Sequence, residues 1–212
     1  MSEKKIGYGE AYLLKTPKDS IKLYKKWAQT YDKDFALNSN YLSPKKISCF
    51  FNKHARNTDT PILDVGAGTG LVGECLYKTG NNKIIGIDIS SEMLKQAKSK
   101  GCYFSLLVAD VTKKIPLRSN SIGAVVSAGT FTHGHVGPEA LDELLRITKP
   151  GGLFVLSINS KVFIKGGFQE KFLRIKNSIS VPVFNEFRVH GNKKDEKFSK
   201  IKVFASIFRK KF

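Results

Sequence analysis

Cysteine is scarce in this chain. Cys49, Cys75 and Cys102 are the only three among 212 residues, and no two stand in a CxxC spacing. That excludes a disulfide framework and a zinc site, which need paired or clustered thiols. No apolar run approaches the roughly 18 residues of a membrane-crossing helix. The stretch "MSEKKIGYGEAYLLK" holds no apolar core of signal-peptide length. The expectation is a protein of a reducing, cytoplasmic compartment with no membrane partner and no metal. Histidine is nearly as rare, with four residues. Two of them, His133 and His135, stand one residue apart in "GTFTHGHVGP".

Acidic residues are also few, 18 against 36 basic ones, for a net charge of +18. The imbalance is uneven. Residues 1–60 carry twelve basic and six acidic side chains, 61–160 ten and eight, and 161–212 fourteen and four. The middle is almost balanced and the last quarter is strongly basic. Two readings stand side by side: lysines on a solvated face, or a site for RNA or another polyanion on the C-terminal segment.

What is present suffices for one globular domain. The hydrophobic share is 41%, and a chain of this length buries roughly 70% of its unfolded surface without staples. Residues 19–33, "DSIKLYKKWAQTYDK", read as an amphipathic helix capped by Asp19 or Ser20, with Tyr24, Trp27, Ala28 and Tyr31 on one face. "SPKKISCFFNKHA" reads as a second helix, with Ser43 as cap and Pro44 at its first position. From residue 61 the pattern changes. Apolar runs at 61–65, 83–88, 103–110, 122–128 and 152–159 alternate with helical stretches ending at glycine, or at Pro-Gly-Gly. Alternation of this kind implies βαβ units and a parallel sheet covered on both faces. Two further β-rich stretches flank the polar "HGNKKDEK" near the C-terminus and predict an antiparallel hairpin.

"LDVGAGTGLVG" fits two glycine patterns. Gly68, Gly70 and Gly73 match the dinucleotide fingerprint, while Gly66, Gly68 and Gly70 match a GxGxG loop preceded by Asp64. Three features favour the second. The turn begins at Gly66, directly after the strand. Asp64 places a carboxylate where a pyrophosphate would be repelled and an ammonium welcomed. Asp88 and Asp110 then end the next two strands, placed for a ribose and an exocyclic amine.

An acid, a glycine loop and two further acids at successive strand ends resemble the class I S-adenosylmethionine-dependent methyltransferase family. "LDVGAGTG", "IIGIDIS", "LVADVT" and "LLRITKPGGLFVLSI" carry the resemblance, over about residues 24–159. It implies a Rossmann-like α/β fold: a seven-stranded, mostly parallel sheet with one antiparallel strand and helices on both faces. It also implies a division into a helical lid at 1–60 and a core at 61–212. S-adenosylmethionine would be the cofactor and S-adenosylhomocysteine the product. By that resemblance Asp64, Gly66, Ala67, Gly68 and Gly70 would meet the methionine moiety. Asp88 would take the ribose, with Ile89 and Met93 near the adenine. Asp110 and Val111 would meet the adenine edge and face, and Ser127, Ala128 and Gly129 would close the site near the sulfonium. Trp27 and Tyr31 would face the ligand from a lid that orders with it; the other reading of the Tyr24, Trp27 and Tyr31 stripe is plain core packing. "WAQTYDKDFALNSNY" and "SAGTFTHGHVGPEALDELLRITKPGG" are similar to the Williams–Beuren syndrome region methyltransferase-like group.

The location of His133 and His135, after the fourth strand, makes them candidate general bases. The competing reading is that they shape the loop or touch the cofactor. A base is not required of a sulfonium electrophile, since placement alone supplies roughly 7–11 kcal/mol. Absent motifs narrow the acceptor. "SAGT" is not the Asn/Asp-Pro-Pro-aromatic motif of base amino-methyltransferases, there is no Pro-Cys nucleophile, and no glutamate lies between Met93 and Glu139. The expected acceptor is a small molecule with an O, N or S nucleophile. The alternatives are RNA or an RNA-associated protein, and a cofactor-binding protein without turnover.

Overall fold

The computed structural model describes residues 10, 14, 16–191 and 200–212. Helix α1, Pro17–Trp27, is followed by a π-helical segment, Asp32–Leu37, and helix α2, Ser43–His54. The core then alternates: β1 Ile62–Val65, α3 Leu71–Tyr77, β2 Ile84–Asp88, α4 Ser91–Ser99, β3 Ser105–Val108 and β4 Ile122–Phe131. Helix α5, Ala140–Ile147, leads to β5, Thr148–Asn159. Helices α6, Ser160–Lys165, and α7, Phe168–Arg174, precede β6, Val183–Arg188, and β7, Lys202–Arg209.

The seven strands form one sheet in the order β3-β2-β1-β4-β5-β7-β6. Strands β1 to β5 pair in parallel, and β7 runs antiparallel to both β5 and β6. The expected fold class is therefore the observed one. The order steps outward from β1 to β3, then returns to place β4 on the other side of β1. That reversal opens a crevice at the carboxyl ends of β1, β2 and β4.

Two apolar clusters pack the two faces. One gathers Leu63, Val65 and Ile87 with α5 and α7 residues such as Leu141, Leu144 and Phe168. The other gathers Ile62, Ile84, Ala124 and Val126 with Ile47 and Phe51 of α2 and Val72 and Leu76 of α3. Alternation along each strand sends neighbouring side chains to opposite clusters. Ile47 and Phe51 are fully buried, and burial of each stabilises by about 1.5–3 kcal/mol. Arg209, at the end of β7, reaches Asp59 ahead of β1 through two bonds of 2.8 and 3.0 Å. That paired fork ties the antiparallel edge to the first parallel strand.

Several boundaries differ from the sequence expectation. The first helix is capped by Thr16, whose hydroxyl accepts from the Asp19 N–H while the Asp19 carboxylate accepts from the Thr16 N–H. This capping box, with Pro17 in the first turn, starts the helix earlier than Asp19 or Ser20 would. It also ends at Trp27, and Asp32–Leu37 winds as a π-helix instead of continuing it. Ser43 lies inside α2, whose capping position is Leu42. Strand β4 runs three residues beyond 128, and β5 begins at Thr148 and absorbs the Pro-Gly-Gly turn through a register shift against β4. Helices α6 and α7 occupy a stretch in which the sequence reading placed no element. The C-terminal hairpin forms, and residues 192–199 of its expected turn lie outside the described residues.

Candidate cofactor cleft

β1 ends at Val65 and the chain turns at once. Gly66, Gly68 and Gly70 all take left-handed φ, +67°, +54° and +89°, which glycine adopts without steric cost. Gly66 and Ala67 donate to the Ile87 carbonyl at 2.8 and 3.0 Å, so the loop lies against the end of β2. Gly66 must also lack a side chain, because a Cβ there would stand 2.0 Å from the Thr130 hydroxyl oxygen. Ser127 and Thr130 both donate to the Val65 carbonyl, at 2.7 and 2.9 Å, fixing β4 against the same turn.

Asp88 locks the loop from the other side. Its Oδ2 accepts from the Gly68 N–H and its Oδ1 from the Ser90 N–H, both at 2.8 Å. Burial raises the carboxyl pKa, opposed by the N–H donors of Ser90, Gly68 and Ile89. Beyond β3, Asp110 accepts from the Thr112 N–H and hydroxyl at 2.9 and 2.6 Å, closing a tight turn that faces its neighbour.

These elements line an open cleft. Gly66, Gly68, Asp88, Ile89 and Met93 form one side, and Asp110, Val111, Ala128 and Gly129 the other. Tyr31 and His135 close it from above, with Tyr24 and Ser20 of α1 beside them. Four candidates from the glycine-loop and β4 signals stand outside the wall. Ala67 and Ser127 are buried, Gly70 starts α3 against Ala97 and Tyr103, and Asp64 faces the opposite way. Strand alternation puts Asp64 on the Ile62 side, where it is fully buried and accepts from the Tyr103 hydroxyl at 2.6 Å. Its burial pushes the carboxyl up to about 7, against the lowering effect of that hydroxyl. Asp64 thus stands on the Tyr103 side of the sheet and does not line the cleft.

Tyr103 also explains the second glycine register. A Cβ on Gly73 would lie 2.3 Å from the Tyr103 ring, and one on Gly86 2.8 Å from it. Gly73 is glycine because a tyrosine crosses over it. The sequence reading missed Ser20, Ala109, Thr112, Thr130 and Val136 as cleft residues. Thr130 could have been found from the need for a glycine opposite it; the others carry no local signal.

The two histidines separate. His133 is exposed, while His135 is half-buried with both ring nitrogens engaged. Nδ1 lies 2.9 Å from the His133 carbonyl and Nε2 2.9 Å from the Tyr24 hydroxyl. A carbonyl can only accept, so Nδ1 carries the proton and the bare Nε2 accepts from Tyr24. Burial lowers the His135 pKa, which keeps the ring neutral. Among the described residues no group of three His, Cys, Asp or Glu is placed to hold a metal.

Residues 63–156 match the protein family described as a methyltransferase domain. The matched stretch holds the glycine loop and both strand-end carboxylates, Asp88 and Asp110. Human methyltransferase-like protein 27 is 34% identical over 140 residues, covering 65% of this chain and 56% of its own. The ubiquinone/menaquinone biosynthesis C-methyltransferase UbiE of Wigglesworthia glossinidia brevipalpis is 25% identical over 204 residues, covering 91% and 79%. The chain thus spans little more than half the length of its human relative. In fold, it superposes on the Haloferax volcanii putative methyltransferase in complex with the Trm112 activator, with TM-score 0.66 and 17% identity over 89% of this chain and 98% of that one.

S-adenosylmethionine is the cofactor such a methyltransferase domain implies, and the cleft fits it. Two carboxylates, Asp88 and Asp110, line it, and no lysine or arginine does among the described residues. That charge suits a cationic sulfonium and ammonium and repels a pyrophosphate. Ile89, Met93 and Val111 supply apolar walls for a flat base. The cleft is covered by the segment that carries Tyr24 and Tyr31, and Asp32 clamps that segment down. Its two oxygens take the Thr69 hydroxyl and the Lys100 ammonium, each at 2.5 Å. Lys25 of α1 adds a looser pair with Glu92 of α4 at 3.5 Å. Asp32→Ala is expected to weaken S-adenosylmethionine binding about tenfold, through loss of roughly 1.4 kcal/mol of lid closure. Calorimetry on the variant checks this, with a melting temperature within a few degrees of wild type showing that the core is intact.

Proposed function

We propose that this methyltransferase domain transfers a methyl group from S-adenosylmethionine to an O, N or S nucleophile of a small molecule. One observation carries the reading: a cleft with no lysine or arginine among the described residues and a carboxylate at each of two successive strand ends, beside a left-handed glycine loop and under a tyrosine-bearing cover. When bound, the cofactor supplies a methyl group on a positively charged sulfur. The chain's own residues do the rest. Asp88, held by two N–H groups, offers its remaining lone pairs to a ribose. The Gly66–Gly68 backbone admits the methionine chain closely. Tyr24 and Tyr31 exclude water above the cleft, and His135 holds a bare nitrogen at its edge. The decapeptide "GTFTHGHVGP" supports placing the chain in the Williams–Beuren syndrome region methyltransferase-like group, and the unpaired cysteines support a reducing, cytoplasmic setting. No described helix is long and apolar enough to cross a membrane.

A second reading has its own support. The basic excess of residues 161–212 suits RNA or an RNA-associated protein as acceptor. One experiment separates the readings. Calorimetry with S-adenosylmethionine, S-adenosylhomocysteine and NAD is expected to show micromolar binding of both adenosyl ligands and none of NAD. Methyl-labelled cofactor incubated with cell extract is then expected to label the low-molecular-mass fraction. Label in RNA, lost steeply with salt, would favour the second reading. Tight binding with no label anywhere would leave a cofactor-binding protein without turnover. NAD binding alone would overturn the glycine register and the methyltransferase reading with it.

A further inference from the structure

A second chamber adjoins the cofactor cleft and shares Tyr24, Tyr31, Gly129 and His135 with it. Gly129 stands between the two: a Cβ there would lie 2.6 Å from the Tyr41 hydroxyl oxygen. Its walls are aromatic. Trp27 meets Tyr31 and Phe35 edge-on, at centroid distances of 5.0 and 5.5 Å, and Phe35 meets Tyr41 at 5.0 Å. The polar wall groups are neutral, among them Thr132, Ser157 and Asn159. In a chain of net charge +18, no charged side chain lines this chamber among the described residues.

We propose that this chamber holds the methyl acceptor, and that the acceptor is an uncharged aromatic ring bearing a hydroxyl group, with the Tyr24 hydroxyl relaying its proton to Nε2 of His135. The inference rests on the methyltransferase reading above and names its substrate class. Each feature of the chamber selects. Rings packed edge to face favour a flat aromatic guest. A carboxylate acceptor would need a cation in the wall, and an aliphatic amine, protonated at neutral pH, has no free lone pair and no carboxylate to pair with. An uncharged hydroxyl enters readily but must lose its proton to become a strong nucleophile. The base for that proton sits at the mouth between the two cavities. His135 Nε2 carries no proton, because the His133 carbonyl fixes the tautomer, and its one lone pair accepts from the Tyr24 hydroxyl at 2.9 Å. The Tyr24 hydroxyl passes its proton to Nε2 and takes that of the acceptor oxygen, which forms a bond to the methyl carbon. The carbon–sulfur bond breaks with its pair returning to sulfur, the products are an aryl methyl ether and a neutral thioether, and the imidazolium releases its proton to water.

Trp27, the chain's single tryptophan, stands in the chamber wall and reports on it. With S-adenosylhomocysteine bound, 2-naphthol is expected to quench Trp27 fluorescence saturably. 2-Naphthoate and 2-naphthylmethylammonium should bind at least tenfold more weakly. With S-adenosylmethionine, wild type is expected to form 2-methoxynaphthalene. His135→Gln should lower that rate about 100-fold or more, the usual reach of a general base. The wild-type rate should fall as pH drops far enough to protonate His135, and the His135→Gln rate should lack that limb. A merely structural His135 would lower the rate by the same factor at every pH. Absence of saturable quenching, tighter binding of the carboxylate or the ammonium, or a pH-independent loss overturns the proposal. If the adenosyl ligands bind normally while 2-naphthol does not, only this inference fails. If they do not bind, the methyltransferase reading fails first.

Discussion

Asp88→Ala is expected to lower the affinity for S-adenosylmethionine at least a hundredfold, about 2.7 kcal/mol, while the protein stays folded. The side chain does two jobs at once. It accepts from the Gly68 and Ser90 N–H groups and so sets the shape of the glycine loop, and it is the carboxylate that faces the cleft at the end of β2. Hydrogen bonds to a charged group contribute roughly 1.5–3 kcal/mol each, so losing the loop's anchor together with the cleft-facing carboxylate exceeds one such bond. Asp88→Asn keeps one acceptor oxygen and should fall between the two. Calorimetry with both adenosyl ligands reads the loss, and circular dichroism reads the fold. An alanine variant that binds within threefold of wild type would sink the assignment of the cleft.

The second large effect is on stability. Asp64 is fully buried and its carboxyl is pushed up to about 7 from 3.8, first by desolvation. Between those two values the folded chain keeps the proton that the unfolded chain has lost. Stability has a slope proportional to protons bound unfolded minus protons bound folded, so this group makes it fall as pH rises through that window. From pH 5 to pH 8 its contribution drops by roughly 2–3 kcal/mol. Asp64→Asn has no such proton. Relative to wild type, the variant should gain that amount between pH 5 and pH 8 in urea unfolding of the unliganded protein. The difference between the two proteins is what matters, because Glu74 and Glu143, lowered by their basic partners, tilt both curves the other way. A pH-independent difference would show that Asp64 is ionised in the folded state throughout.

The alternation of apolar runs and glycine-stopped helices was enough to read the sheet, because each element carries its own period and stop signal. The site was legible where a residue's own backbone does the work. Gly66 and Gly68 announce a left-handed turn, and Asp88 and Asp110 announce strand ends. It was illegible where a distant partner decides. Nothing near Asp64 says that Tyr103 will claim it from 39 residues away, and the same tyrosine forces the glycine at Gly73 that mimics a dinucleotide fingerprint. His133 and His135 look equivalent in sequence. Only the approach of Tyr24, 111 residues earlier, buries one and leaves the other in water. The first helix was placed late because Thr16 and Asp19 cap it jointly, and each alone is an ordinary turn residue.

Strand β7 sits between β5 and β6, although β6 is made before it. Every ladder bond of β6 runs to β7. As the chain is synthesised from its N-terminus, the five parallel strands can assemble in the order in which they appear. Residues 183–188 cannot. They must wait, with one edge of β5 still open, until residues 202–209 have emerged and slipped into the gap. An open strand edge is where chains pair wrongly with one another. Completion of this sheet is therefore a late insertion event, and the interval before it is when the nascent protein is most exposed to misassembly.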